Sequence, residues 1–135
     1  MDMKNKNHLS VNTLLCGRYV VGLAMGSNKL GITYLGYDNA TNKKVAIKEY
    51  YPEGMASRND NMVSGTDTFA LGLQQFVKDG NILKEKKGLP SIVEVFDVIE
   101  ENGTAYIIME YIEGTSLEEI VKGNRLFPIA RMQSL

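Results

Sequence analysis

The sequence predicts an α+β fold: a five-stranded antiparallel sheet carrying one principal helix. Three observations lead there. Residues 19–23, 31–37, 44–50, 92–100 and 104–111 are short runs rich in β-branched and aromatic side chains. A single longer stretch, with Phe69, Leu73, Phe76, Val77 and Leu83, keeps helical spacing over several turns. Neighbouring runs are joined by turn chemistry, which favours antiparallel pairing. With 135 residues, 44% of them apolar, the chain can bury one core and is too short for two ordinary domains.

Residues 1–13 are polar, lack apolar periodicity and read as a flexible arm outside the core. Between the second and third runs, Asp38-Asn39-Ala40-Thr41-Asn42 supplies a turn. Residues 51–65 hold Pro52, Gly54, Asn59, Asp60 and Gly65 without a sustained period, and read as a long loop. Asp67 is the expected helix cap, and Lys84, Lys86, Lys87, Gly88 and Pro90 mark the helix end. Gly72 and Gly80 weaken that helix by about 1 kcal/mol each relative to Ala. Asn102-Gly103 joins the last two strands as a type I′ turn, since both residues tolerate φ > 0. A short helix is expected at residues 116–122, and Pro128, Ile129, Met132 and Leu135 open another. The chain therefore divides into an arm (1–13), a folded lobe (14–115) and the first helices of a further unit (116–135).

Composition excludes several functions. Fifteen basic against sixteen acidic residues leave a net charge of −1, with no field to draw a nucleic acid. Cys16 is the only cysteine and His8 the only histidine, which rules out an internal disulfide, thiolate zinc sites and His-based catalytic triads, and gives no metal site. Cysteine usage and the lack of an apolar run near ~20 residues predict a cytoplasmic chain without membrane contact.

Three places can carry chemistry. Gly26-Ser27-Asn28-Lys29-Leu30-Gly31 is a glycine-bounded loop whose N–H groups can face phosphate oxygens; alone, it is also a plain hairpin connection. A Walker A loop would need Lys where Ile32 stands and a helix afterwards. In Val45-Ala46-Ile47-Lys48, strand alternation puts Ala46 and Lys48 on one face, so a flat base can lie on Ala46 while the ammonium reaches phosphates; a solvated edge lysine is the other reading. Asp79, three residues after Phe76 and four before Leu83, borders the helix's apolar face, where a carboxylate needs a cation such as Lys48.

In order and spacing, these segments and Ala105-Tyr106-Ile107-Ile108-Met109-Glu110-Tyr111-Ile112-Glu113-Gly114 resemble the N-terminal lobe of protein kinases, with bacterial serine/threonine kinases the nearest likeness. The resemblance implies that Lys48 pairs with ATP phosphates and with Asp79 of the C-helix. It also implies that Gly26 and Gly31 let the loop close over the triphosphate, and that Thr33 and Ala46 roof the adenine. Met109 becomes the gatekeeper, Glu110 and Ile112 the hinge backbone, and Ser116 a ribose contact. Asn28 stands where the family has its middle glycine, and Asp79 where it has Glu. The family's H-R-D catalytic loop and its D-F-G segment, which hold the base and the Mg²⁺ ligands, are not in this sequence. The expected function is the ATP-binding lobe of a kinase acting on protein Ser/Thr hydroxyls, inactive as this chain alone. A pseudokinase or scaffold lobe making protein contacts is the leading alternative, and an unrelated β-rich binding module with coincidental motifs is the third. An uncovered inner face and, above all, the apolar stripe of the helix begun by Ile129, Met132 and Leu135 are further expected to make the chain self-associate.

Overall fold

The computed structural model describes residues 8–86 and 93–112. Its strands are β1 (Leu14–Leu15), β2 (Tyr19–Asn28), β3 (Gly31–Asp38), β4 (Lys43–Tyr50), β5 (Ala56–Asn59), β6 (Met62–Gly65), β7 (Val95–Glu101) and β8 (Thr104–Glu110); α1 spans Asp67–Lys84. The main sheet is antiparallel throughout, in the order β1-β2-β3-β4-β8-β7. The five strands read from the sequence are all present. A sixth, two-residue strand, β1, extends the sheet at the β2 edge.

Period-2 alternation sorts this sheet into two buried faces. Ala46, Tyr50, Ala105, Ile107 and Met109 point to the face covered by α1, through Phe69, Phe76 and Leu83. Val45, Ile47, Tyr106 and Ile108 point the other way and pack with Leu15, Tyr19, Val21 and Tyr34. Asn102 and Gly103 have φ of 58° and 77°, the left-handed pair that the β7–β8 turn requires.

Three expectations need correction. The stretch read as a loop contains the hairpin β5–β6, paired from Ala56–Gly65 to Asn59–Met62, because Asp60 adopts φ of 56° and closes a tight turn. The arm is not wholly outside the core: Leu9 is buried and its N–H donates to the Tyr34 hydroxyl at 2.9 Å. Thr66 caps α1 instead of Asp67, its hydroxyl accepting from Phe69 N–H, while Asp67 sits in the first turn.

The helix glycines have a packing reason. A Cβ on Gly72 would lie 2.0 Å from the Tyr50 hydroxyl oxygen, and one on Gly80 would lie 2.9–3.0 Å from Val98 and Ile107. Each glycine brings α1 close to the sheet, which offsets its poor helix propensity. The helix-end residues Lys87, Gly88 and Pro90, together with 113–135, lie outside the described residues.

Candidate nucleotide site

The strand registers gather the candidate residues on one face. Across β2, β3, β4 and β8, Gly26 faces Thr33, Thr33 faces Lys48, Asn28 faces Gly31, and Ala46 faces Met109. Directly opposed residues of antiparallel strands share a face, so these seven residues all lie on the α1 side of the sheet. Thr33, Ala46, Lys48 and Met109 are each 1–3% exposed. These positions are thus closed to solvent, and the terminal segment with Ile129, Met132 and Leu135, on which self-association was chiefly expected, lies outside the described residues. Of the exposed large apolar residues, Leu30 sits at the tip of the glycine-bounded loop, while Leu23, Met62, Leu71 and Phe96 belong to β2, β6, α1 and β7.

Lys48 is the focus. Burial makes its charge costly and pushes its pKa down to about 7. Its Nζ lies 3.4 Å from Asn28 Oδ1, and the same oxygen accepts from the N–H groups of Leu30 at 2.9 Å and Gly31 at 3.1 Å. Gly31 is required by proximity: a Cβ there would stand 2.1 Å from the Glu49 carbonyl oxygen. The hairpin tip is also held from below, since Tyr51 and Glu53 donate to the carbonyls of Leu30 and Lys29.

Asp79 lies on the buried side of α1, as its spacing indicates, and accepts from Gln75 Nε2 at 2.7 Å. At the far end of the face, the Glu110 N–H donates to the Glu94 carbonyl and the Glu110 carboxylate accepts from Glu94 N–H. A ligand contact from the Glu110 backbone would therefore use its carbonyl. Ile112 packs against the core, and Ser116 lies outside the described residues.

The residues fit a nucleotide. Thr33 Oγ1 is buried with no hydrogen-bond partner, a polar atom on an otherwise apolar roof, and directly across the register stands the Lys48 amine, a positive charge when protonated. For Mg²⁺, no three His, Cys, Asp or Glu gather among the described residues.

Residues 19–135 match the protein kinase domain family. The chain belongs to that family. Serine/threonine-protein kinase PrkC of Bacillus subtilis is 29% identical over 114 residues, covering 82% of this chain and 15% of PrkC. Serine/threonine-protein kinase PknD of Chlamydia trachomatis serovar D is 31% identical over 105 residues, covering 78% of this chain and 10% of PknD. Among solved structures, the apo form of PpkA-294 superposes with a TM-score of 0.74 at 31% identity, covering 84% of this chain and 42% of that one. The chain spans no more than about a quarter of the curated kinases it matches, 10% of PknD and 23% of an Arabidopsis thaliana relative.

One buried cluster in this kinase lobe was missed in the sequence. Glu49, beside Lys48 but on the opposite face, is fully buried and accepts from both terminal nitrogens of Arg58, at 2.7 and 3.1 Å. The hydroxyls of Tyr34 and Tyr106 also donate to it, at 2.8 and 3.0 Å. Burial opposes the Arg58 charge, but the Glu49 bonds outweigh it and raise the guanidinium's pKa. Burial first, then Glu49, raises both tyrosines well above their ordinary range. The alternation that put Glu49 on an apolar face was a legible signal; its partner, nine residues on in an unrecognised hairpin, was not.

Proposed function

We propose that this chain is the ATP-binding lobe of a protein serine/threonine kinase. The observation that carries the reading is the buried Lys48 on a face shared with Gly26, Asn28, Gly31, Thr33, Ala46 and Met109, with the acid-bearing helix α1 packed on the same side. Lys48 would hold the α- and β-phosphates and pair with Asp79, which orients the ammonium. Thr33 and Ala46 would roof the adenine with Met109 as the gatekeeper beside them, Glu110 and Ile112 would meet its edge through the backbone, and Ser116 would meet the ribose. ATP supplies the γ-phosphoryl group, and Mg²⁺ would be held by residues that a complete kinase adds. The whole protein would then act on protein Ser/Thr hydroxyls in the cytoplasm, with the isolated lobe inactive.

A scaffold or pseudokinase lobe is the second reading, favoured by Asn28 filling the phosphate loop and by the Asp79 bond to Gln75. One experiment separates them. In a polypeptide that joins this lobe to the family's catalytic loop and metal-binding segment, Mg-ATP should phosphorylate protein Ser/Thr and Lys48→Met should abolish the transfer. Wild-type turnover by Lys48→Met would remove Lys48 from the phosphate site, and no transfer by the unaltered polypeptide would favour the scaffold.

A further inference from the structure

The side chain of Asn28 makes contacts that a glycine at this position could not. Asn28 is not among the residues with positive φ, so its backbone does not call for glycine. Its carboxamide oxygen instead collects three donors: the Leu30 N–H, the Gly31 N–H and the Lys48 ammonium. Two backbone N–H groups at a hairpin tip plus a buried lysine are what a phosphate oxygen needs from a loop of this kind. The carbonyls of Lys29 and Leu30 are at the same time tied to Glu53 and Tyr51, so the tip is held by hydrogen bonds on both sides.

We propose that Asn28 Oδ1 is a built-in placeholder for a nucleotide phosphate oxygen, which must swing out before a phosphate can occupy the loop. The proposal rests on the reading of this face as a nucleotide site. It makes the loop self-occluded at rest, and sets nucleotide affinity through the ease with which one carboxamide leaves. An aspartate at position 28 would hold the same donors more firmly, because its oxygens carry charge. An alanine would release them without adding backbone freedom.

The test uses the full 135-residue chain, labelled for amide NMR, with inorganic triphosphate as the probe. In Asn28→Ala, the Leu30 and Gly31 amides should exchange with solvent about tenfold faster, as expected for one lost hydrogen bond. The same variant should bind triphosphate about tenfold more tightly than wild type, with shifts centred on Leu30 and Gly31. Asn28→Asp should bind more weakly than wild type, and Lys48→Met should not bind in either background. Unchanged β7–β8 resonances would show that each variant is folded. A purely structural Asn28 would leave Asn28→Asp like wild type and would give Asn28→Ala no gain. Equal, Lys48-dependent binding by wild type and Asn28→Ala would overturn the placeholder while leaving the nucleotide site standing. No shift at Leu30 or Gly31 in any variant at millimolar triphosphate would overturn both.

Discussion

Replacing Arg58 by Met is the sharpest test of the buried cluster. The side chains of Glu49 and Arg58 are 0% and 1% exposed, so Arg58→Met leaves a carboxylate inside the protein without its cation. Breaking such a pair from one side costs about 3–5 kcal/mol. The Tyr34 and Tyr106 hydroxyls still donate to Glu49 and offset part of the loss, which puts the expected cost near the lower end, about 3 kcal/mol. With a urea m-value of about 1.5 kcal/mol per molar, the unfolding midpoint should fall by roughly 2 M. The double variant Glu49→Leu, Arg58→Met removes both charges and should recover at least half of that, since an apolar pair avoids the desolvation that the ion pair suffers. Urea denaturation followed by circular dichroism measures both. The reasoning fails if Arg58→Met moves the midpoint by only a few tenths molar, or if the double variant costs the sum of the two singles.

Further outcomes follow from single residues. Between about pH 7 and 10 the unfolded chain keeps a proton on Lys48 that the folded chain has lost, so stability should rise with pH by roughly 3–4 kcal/mol. Above pH ~10 it should fall, because Tyr34 and Tyr106 stay protonated only when folded. Lys48→Met should flatten the rise, and an unchanged slope by denaturant titration would show that Lys48 is charged and solvated. Gly31→Ala, whose Cβ meets the Glu49 carbonyl, should cost about 3 kcal/mol in thermal melts. Gly17→Ala, with φ of +65° and open space around it, should cost only about 1 kcal/mol. Gly31 has no positive φ, so equal costs would mean that the approach of β4 does not constrain it. Thr33→Val removes a buried hydroxyl without a partner and should raise stability by about 1 kcal/mol; a lower melting temperature would disprove the orphaned state.

Much of the lobe is written locally. Five strands, the Asn102-Gly103 turn and the helix from residue 67 follow from side chains within a few positions of one another, because alternation, turn φ and the 3.6 period are short-range properties. The shared face of Ala46 and Lys48 follows from the same alternation. Other features needed the tertiary structure. That β4 lies between β3 and β8, that Leu9 reaches Tyr34, and that Arg58 in β5 crosses to Glu49 are pairings of distant segments, selected by which apolar faces can be buried together. Gly72 and Gly80 look like helix defects in the sequence and become contact points only once Tyr50, Val98 and Ile107 are packed against them. Asn28 looks like a lost glycine until β3 and β4 bring Gly31 and Lys48 within reach of its oxygen. A side chain's type and periodicity set the face it can occupy, but its partner depends on which other segments the packed sheet brings to that face.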